Sequence, residues 1–483
     1  MRKPDYDIVV IGGGPAGLAI GRFAPKLGAR VAIVEEGRLG GDCTWSGCVP
    51  SKALIASARA ASAGRNRAAL GLPPLPPPER VEIGPVLTRI KALQEQIYEE
   101  SDRPDLLPGV DVISGRGRFV SADAIEVDGR RITAATVVIA TGAGPVVPPI
   151  PGLAESGYLT NHSIWEIARL PDRLTVIGGG PIGLELGQAF QRLGSQVTVV
   201  EMAPQILPRA EADVAQALSV ELEAEGMIIH TRTAATEVQC EGDQHRLMLR
   251  GPEGELTAEG DALLVAVGQR PNASDLGLEA AGVRTTDGGG VRVDAQLRTS
   301  NKRVYACGDV IGGYQFTHTA AYEASVVMHN ALFPLRKQRA DYSTTPWVVF
   351  TDPEVAGVGL TEAEARAKHG DGVHTYERSF RELDRALLDG RCPGFLRIVT
   401  VGRRRKIVGA QIVGPSAGEL IQEQVLAISQ GMNAMELAMT HHAYPTLNEA
   451  SRWAAVAAVD DMLRSRSVQR VVGIARALNK RPW

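Results

Sequence analysis

Two short apolar runs, each followed by a glycine-rich turn and a helical pattern, stand out in the first half of the chain. They cover Asp7–Ile11 and Leu174–Ile177, and each is typical of a strand buried in a parallel sheet. A further apolar run follows each helical segment, at Arg30–Val34 and at Gln196–Val200. The pattern therefore predicts two strand–helix–strand units of the same kind.

The two glycine turns share one spacing, G-x-G-x-x-G. Their glycines are Gly12, Gly14 and Gly17 in the first turn and Gly178, Gly180 and Gly183 in the second. The next strand ends at Glu35 in one copy and at Glu201 in the other, each 23 residues after the first glycine of its turn. Such glycines let the backbone approach a pyrophosphate, the helix N-terminus stabilises its charge, and the acid holds a ribose hydroxyl. Two intact copies predict two dinucleotide sites, although one true site with a decayed duplicate is the alternative.

The remaining pattern predicts strands after the first unit and a change of character near Thr345. The predicted strands are Val110–Ile113, Ile125–Ile132, Thr136–Ile139, Val304–Ala306, Trp347–Phe350 and Phe395–Val401. Helical patterns at Thr361–Lys368 and Ala417–Gln430 alternate with the last two, which indicates a separate α+β domain. Pro73–Pro78 indicates a surface loop, and the tail from Ser467 has the spacing of a capping helix.

Cys43 and Cys48 lie shortly after the first nucleotide-binding unit. Residues five apart in a regular helix have Cα atoms roughly 8–9 Å apart, whereas a disulfide needs less than about 7 Å. If the two cysteines pair, the stretch from Cys43 to Gly47 must be a distorted turn, with Pro50 in the first turn of the next helix. A helix N-terminus favours the reactive thiolate. Two unrelated buried cysteines are the alternative.

Composition narrows the class of protein. A chain of 483 residues is long enough for roughly three domains. The net charge of −3 gives no reason to expect nucleic acid or a charged membrane as partner. The five scattered cysteines do not form a secreted disulfide framework, and the dispersed histidines predict no metal site. Since no stretch approaches the roughly 20 apolar residues of a membrane span, we expect a soluble cytoplasmic protein.

Two dinucleotide turns on either side of a close cysteine pair resemble the flavoprotein disulfide reductases, in particular the lipoamide dehydrogenase and mercuric reductase branch. The resemblance implies an α/β fold with two Rossmann-like domains, for FAD and NAD, and a C-terminal α+β dimerisation domain. It places the FAD-binding domain at residues 1–150 and 271–344, the NAD-binding domain at 151–270 and the dimerisation domain at 345–483. It also implies a homodimer.

The resemblance implies a role for each matching residue. Lys52, paired with Glu185, would lie near the flavin. The other expected cofactor contacts are the six glycines of the two turns, Glu35 on the adenosine ribose, Thr141 and Gly142 closing the FAD site, Gly268 at the return crossing, Glu201 on the nicotinamide cofactor and Asp309 on the ribityl hydroxyls. Electrons would pass from NADH through the flavin to a Cys43–Cys48 disulfide, with Cys48 facing the flavin and Cys43 exchanging with a disulfide or thiol-reactive substrate.

The acid at Glu201 bears on the choice between the two nicotinamide cofactors. Its carboxylate can accept from a ribose 2′-hydroxyl and would repel a 2′-phosphate, which favours NADH over NADPH. Arg209, eight residues further on, is the group that could reverse this preference.

The chain departs from the family near its C-terminus. In lipoamide dehydrogenase and glutathione reductase a histidine precedes Pro-Thr and serves as acid–base partner of the exchanging thiol. This chain has Tyr444 there, with the expected glutamate present as Glu449. A phenol with a pKa near 10 cannot shuttle protons as imidazole does, and His442 is the alternative group. Tyrosine here is similar to mercuric reductase, but the last cysteine is Cys392, so a C-terminal cysteine pair is missing. Reduction of a soft metal ion and a redox-sensing flavoprotein with little turnover therefore remain alternatives.

Overall fold

A computed structural model describes residues 3–64, 67, 70–73, 80–242, 244–333 and 335–479 of the chain. The elements up to residue 145 are β1 (Tyr6–Ile11), α1 (Pro15–Phe23), β2 (Val31–Glu35), α2 (Gly41–Trp45), α3 (Cys48–Ser62), α4 (Ile83–Ile97), β3 (Val110–Ser114), β4 (Arg118–Ser121), β5 (Ala124–Val127), β6 (Arg130–Ile139) and β7 (Ala143–Pro145). The next are β8 (Arg173–Ile177), α5 (Pro181–Leu193), β9 (Gln196–Val200), α6 (Ala212–Ala224), β10 (Ile228–His230), β11 (Ala234–Glu241), β12 (Gln244–Gly251), β13 (Gly254–Gly260), β14 (Ala262–Val265) and β15 (Gln269–Pro271).

The second half continues with one strand and helix and then a series of antiparallel strands. Its elements are β16 (Val304–Ala306), α7 (Thr317–Leu332), β17 (Trp347–Val349), β18 (Glu354–Gly359), α8 (Glu362–His369), β19 (Val373–Ser379), α9 (Asp384–Leu388), β20 (Phe395–Val401), β21 (Lys406–Gly414), α10 (Ala417–Ser429), α11 (Ala434–Ala438), α12 (Glu449–Arg464) and α13 (Arg466–Asn479).

The first dinucleotide unit is built on a parallel sheet. Its strands follow the order β3-β2-β1-β6, and β16 pairs with β6 on the far side. In register, Ile11 lies opposite Val34 on one neighbour and Ile139 on the other. The ends of β1, β2, β6 and β16 therefore meet at one edge, where glycine turns and ligands lie in doubly wound sheets. The strands are apolar on both faces because helices cover them.

The second dinucleotide unit repeats this arrangement with β9, β8 and β14 in parallel. Ile177 at the end of β8 lies opposite Val200 and Val265. An antiparallel sheet, β11-β12-β13, follows in the chain, and β15 returns to pair with β7. The two segments on which the chain leaves the first unit and comes back thus run side by side, with Gly144 opposite Arg270.

The C-terminal part is an antiparallel sheet in the order β17-β18-β21-β20-β19. Its apolar face packs with α10, α11 and α12 around a core that includes Phe380, Leu396, Ile412 and Ile421. The predicted α+β character of this region is therefore confirmed by its layered architecture.

Two sequence predictions need correction. The strand expected over Ile125–Ile132 is two strands, because Asp128 and Gly129 both have positive φ (47° and 78°) and form a hairpin turn between β5 and β6. The distortion expected from Cys43 to Gly47 is confined to its end. Cys43 lies in the short helix α2, and the break comes at Ser46, whose φ and ψ are −137° and −11°.

The chain divides into two compact units, and each is described separately. One contains Met1–Ala61, Glu79–Met202 and Arg232–Asp341, and the other contains Ser62–Pro78, Ala203–Thr231 and Tyr342–Trp483. The predicted domain boundaries remain a prediction, and the expected proline loop lies, apart from Pro73, outside the described residues. Within the part of the chain that the structure describes, none of the helices has the length and apolar character needed to cross a membrane.

Candidate redox and dinucleotide-binding sites

The first glycine turn has a backbone that only glycine can adopt. Gly12 has a φ of +112°, and a Cβ atom there would lie 2.2 Å from the Ala140 carbonyl oxygen. A Cβ atom on Gly17 would lie 2.1 Å from the Gly12 carbonyl oxygen. Gly14 caps α1, and Pro15 occupies its first position, where a missing N–H costs no helical hydrogen bond. The turn therefore brings bare backbone and a helix N-terminus to the sheet edge, which suits a pyrophosphate.

The second glycine turn reproduces the first in detail. Gly178 has a φ of +114°, and its Cβ atom would lie 2.4 Å from the Ala266 carbonyl oxygen. A Cβ atom on Gly183 would lie 2.1 Å from the Gly178 carbonyl oxygen, and Gly180 caps α5. Because both copies keep the same strained φ and the same close approaches, neither has the geometry of a decayed duplicate.

The acid at the end of the second strand lies beside the turn in both copies. The Glu35 carboxylate accepts hydrogen bonds from the Gly13 N–H at 2.6 Å and the Gly37 N–H at 2.8 Å. The Glu201 carboxylate accepts from the Gly179 N–H at 2.7 Å. Each carboxylate is thus fixed next to the position that a ribose would take in a dinucleotide bound at the turn.

The cysteine segment is attached directly to the first glycine turn. The Gly40 N–H donates to the Gly13 carbonyl at 2.9 Å. Gly41 has a φ of +58°, and its Cβ atom would lie 2.7 Å from the Gly14 Cα. Any group bound at the first turn therefore lies against the start of α2, two residues before Cys43.

Cys43 and Cys48 come together across the break between α2 and α3. Both are free thiols in the structure, and they lie near enough for each to shift the pKa of the other. The break closes on Gly47, whose N–H donates to the Asp42 carbonyl at 2.6 Å, and a Cβ atom there would make a tight contact of 3.0 Å with that oxygen. Pro50 lies in the first turn of α3, as the spacing predicts.

The pKa values of the two thiols are shifted in opposite directions. The hydrogen bond from Cys43 lowers the pKa of the Cys48 thiol, and the Lys52 ammonium contributes in the same direction. The Thr317 hydroxyl also contributes, since its Oγ1 lies 3.4 Å from the Cys48 Sγ. For Cys43, the shared hydrogen bond and burial raise the pKa of the thiol. Cys48 is therefore the thiolate of the pair. Thr317 was missed by sequence reasoning because it lies 269 residues away.

Side chains from outside the segment hold α2 in place. Gln94 donates to the Thr44 carbonyl at 3.1 Å and to the Trp45 carbonyl at 2.7 Å. The Thr44 hydroxyl donates to buried Asp102 at 3.1 Å, and Asp102 forms an ion pair with Arg22 at 2.8 Å. These contacts to the end of α2 fix the turn that carries Cys43.

Lys52 and Glu185 form an ion pair, as the family resemblance implies. The Lys52 Nζ lies 2.7 Å from the Glu185 Oε2, and the side-chain exposures are 36% and 6%. Lys52 is one helical turn beyond Cys48 on α3, and Glu185 follows the second glycine turn on α5. The pair thus joins the two dinucleotide units beside the cysteines, so a solvated pair of unrelated helix charges does not describe it.

The residues expected to close the first site also meet. The Thr141 hydroxyl donates to the Asn272 carbonyl at 2.7 Å, and the Asn272 amide donates to the Thr141 carbonyl at 3.0 Å. Gly142 and Gly268 have positive φ, and a Cβ atom on either would meet no other atom. Burial raises the pKa of Asp309 to about 6, and the Asp42 carboxylate and Cys48 act in the same direction.

A histidine that the sequence did not single out lies against the cysteine segment. The His162 Nε2 is 2.8 Å from the Asp42 Oδ1, and Asp42 also accepts from the Ser46 hydroxyl. The Trp165 Nε1 donates to the Ser46 carbonyl at 3.2 Å. The Asp42 carboxylate raises the pKa of His162, which keeps its charge to higher pH. A titratable ring is therefore held beside Asp42, the residue that precedes Cys43.

Tyr444 and its neighbours lie in the second compact unit, in its segment Tyr342–Trp483. The exposed Tyr444 hydroxyl donates to the Asp384 Oδ2 at 2.8 Å, which raises the pKa of this phenol. Both ring nitrogens of His442 are within hydrogen-bonding distance of an oxygen. Nε2 lies 2.9 Å from the Glu423 Oε1, and Nδ1 lies 3.0 Å from the Thr440 carbonyl oxygen. Only 4% of the His442 side chain is exposed. His442 is thus held as a structural side chain.

Glu449 begins α12 and is buried. Its carboxylate accepts from the Thr446 N–H at 3.4 Å.

Comparison with known proteins bears on this geometry. Residues 6–324 match the family described as pyridine nucleotide-disulphide oxidoreductase, and residues 345–455 match the dimerisation domain of that family. The chain is 36% identical to a mercuric reductase of Staphylococcus aureus, covering 94% of this chain and 83% of that protein. It is also 36% identical to a dihydrolipoyl dehydrogenase of Thermus scotoductus, covering 94% of this chain and 97% of that protein.

A solved structure gives the same result. The Cu(II) complex of the HOCl-induced flavoprotein disulfide reductase RclA from Escherichia coli superimposes with a TM-score of 0.83 and 26% identity, covering 95% of this chain and all of that chain. The resemblance inferred from the glycine turns and the cysteine pair is therefore confirmed, and so is the fold of FAD-binding, NAD-binding and dimerisation domains. The protein belongs to the pyridine nucleotide-disulphide oxidoreductases, a family of FAD-dependent enzymes that use a pyridine nucleotide.

Proposed function

We propose that the protein is an NADH-dependent FAD oxidoreductase that reduces a disulfide or thiol-reactive acceptor through Cys43 and Cys48. The observation that carries the proposal is the position of two free thiols, Cys43 on α2 and Cys48 at the start of α3, on either side of one helix break. The pKa values of the two thiols are shifted in opposite directions. Two neighbouring thiols can close to a disulfide. The family resemblance gives the two thiols different tasks, and the lower pKa of Cys48 suits a thiolate beside the flavin.

Residues of both glycine turns support the cofactor assignment. The first turn would hold the FAD pyrophosphate with Glu35 on its adenosine ribose, and the cysteine segment is bonded to that turn. The second turn would hold the nicotinamide cofactor, with Glu201 accepting from a 2′-hydroxyl and repelling a 2′-phosphate. When bound, FAD would supply the two-electron relay between NADH and the disulfide. Lys52, oriented by Glu185, would stabilise negative charge that develops beside α3.

The family resemblance assigns the acceptor step to Cys43 and the flavin side of the pair to Cys48. The Cys43 sulfur, once deprotonated, attacks one sulfur of the acceptor disulfide, forms a mixed disulfide and releases the first thiol. The Cys48 thiolate then attacks the Cys43 sulfur, which releases the second thiol and restores the Cys43–Cys48 disulfide. Two electrons from NADH return the pair to its reduced state. The leaving sulfurs take up protons. The phenol of Tyr444, which stands where the resemblance to lipoamide dehydrogenase implies a histidine, does not supply protons readily at neutral pH.

A soft metal ion is the second candidate acceptor. Thiolates bind such ions well, the relatives include mercuric reductases, and the similar RclA structure is a Cu(II) complex. Tyr444 also favours this candidate, because reduction of a metal ion needs no proton donor for a leaving thiol. We expect Hg(II) as substrate, bound by Cys43 and Cys48 directly, to accept two electrons.

An acceptor series tests the proposed function. The purified enzyme would be reduced with NADH under anaerobic conditions and then offered lipoamide, glutathione disulfide, coenzyme A disulfide and Hg(II) in turn, with NADH and NADPH compared for each. We expect steady-state turnover with at least one acceptor and a higher kcat/KM for NADH. Flavin reduction without reoxidation by any acceptor would instead support a redox-sensing flavoprotein.

His162 is expected to act as a positioning residue for this reaction. In a His162→Gln variant the Asp42 charge is no longer balanced, so the Cys43 thiolate is disfavoured and turnover falls about threefold to tenfold near pH 6.5. Because the folded-state pKa of His162 is raised, the difference should disappear as pH rises through that pKa. Steady-state rates from pH 6 to 9 measure this.

The matched control for His162 is the double variant His162→Gln, Asp42→Asn, in which both charges are absent. Its rate near pH 6.5 should return towards that of the wild type. Equal rates for wild type and His162→Gln across the whole range would contradict the assigned role.

A further inference from the structure

The last helix, α13, presents an apolar face to solvent. It lies beyond the match to the family's dimerisation domain, which ends at residue 455. The exposed fractions of Val471, Ile474 and Leu478 are 66%, 63% and 58%. Large apolar side chains exposed side by side indicate a binding surface more often than singly exposed ones do.

The exposed apolar residues of α13 lie along one face of the helix, and basic residues lie at its edge and on the opposite side. Residues 471, 474, 475 and 478 have the i, i+3, i+4, i+7 spacing of a single face, and all four are apolar. Arg466 and Arg476 lie on the other side, and Arg470 lies at the edge of the apolar face, four residues before Ile474. Val468 and Val472 are half-buried in the part of α13 that follows α12.

The charge of this segment is opposite to that of the rest of the chain. From Met462 to Trp483 there are six basic residues and no acidic residue, although the whole chain has a net charge of −3. The expectation of no membrane partner rests on the net charge of the whole chain. That sum does not reveal the local basic region at the C-terminal end of the sequence. The absence of a spanning helix does not bear on a helix that lies along a surface.

We propose that α13 lies in the plane of an anionic lipid surface, with its apolar face among the acyl chains and its arginines at the headgroups. A helix with an exposed apolar face, basic residues but no acidic ones on its polar side, and too little length to span has the character of an interfacial helix. The arginine stems can extend along the apolar side while their charges stay at the headgroups. Anionic lipid is the occupant that satisfies both faces at once.

Vesicle sedimentation with the full-length holoenzyme tests the proposal. The probes are vesicles of phosphatidylcholine alone and vesicles with about one third phosphatidylglycerol. We expect sedimentation with the anionic vesicles only, and loss of binding at high salt because charges outside the membrane are screened. The variants Ile474→Asp with Leu478→Asp, and Arg470→Glu with Arg476→Glu, should each bind at least about tenfold more weakly.

The control variant is Leu335→Asp, which places the same change at another exposed leucine. It should bind like the wild type, and all variants should keep their flavin content and NADH oxidation, since α13 is independent of the proposed redox chemistry. The proposal is overturned if the wild type does not bind anionic vesicles at low salt, or if the Asp variants bind equally well. A third outcome also overturns it: the wild type does not bind vesicles, and the Asp variants have a lower molar mass in light scattering than the wild type. A second copy of the chain would then cover this face.

Discussion

Replacing Cys48 with serine should abolish reduction of every acceptor while leaving the flavin reducible by NADH. The hydroxyl cannot form the disulfide or supply a thiolate at neutral pH, so we expect acceptor turnover to fall by about 10³-fold or more. Cys43→Ser should have the same effect, because it removes the thiol that meets the acceptor. Anaerobic flavin spectra and steady-state rates, measured on the same samples, separate the two half-reactions.

The chain offers a matched control for these variants. Cys240 is an exposed free cysteine on β11, in the antiparallel sheet away from the glycine turns, so Cys240→Ser should keep the wild-type rate. If Cys43→Ser and Cys48→Ser both keep full activity with every acceptor, the disulfide mechanism is wrong.

Replacing Tyr444 with histidine should raise turnover with lipoamide about 100-fold. General acid–base catalysis typically contributes between about 10² and 10⁴. An imidazole titrates near neutral pH, whereas the hydrogen bond to Asp384 raises the pKa of the Tyr444 phenol even above its usual value. His442 does not compensate, since both of its ring nitrogens are engaged. The measurement is kcat with lipoamide as a function of pH, in which a new ionisation near neutrality should appear.

The control for this gain is Tyr444→Phe. It removes the hydroxyl without adding a proton carrier, so its lipoamide turnover should stay near that of the wild type. If Tyr444→His is folded and flavin-loaded but no faster than Tyr444→Phe, proton transfer at this position does not limit the reaction. In that case the identity of the acceptor must depend on other residues.

The parts of the site that the sequence predicts are those fixed by local backbone geometry. Gly12 and Gly178 are required by a positive φ and by contact with the neighbouring strand, and such constraints leave a spacing that can be read along the chain. The strands next to them are apolar on both faces, so β9 coincides with its predicted range and β1 extends one residue further. The Lys52–Glu185 pair was expected through the family resemblance alone.

The parts that the sequence missed depend on contacts between distant segments. His162 meets Asp42 and Thr317 meets Cys48 across long stretches of chain, and neither residue belongs to a spacing pattern. The Asp128–Gly129 pair is a hairpin signal that the prediction of a single strand did not use, and the apolar positions change phase across it, from Val127 to Ile132. The basic face of α13 was missed because the charge was summed over the whole chain.

The most direct test of the central claim is a thiol count before and after anaerobic reduction by NADH. The oxidised enzyme would be alkylated in denaturant, with and without prior NADH, and the labelled cysteines located by mass spectrometry. The account predicts that NADH adds two labelled thiols per chain, at Cys43 and Cys48, while the labelling of the other three cysteines, Cys240, Cys307 and Cys392, stays unchanged. Full reduction of the flavin by NADH with no new thiol at Cys43 or Cys48 would contradict it.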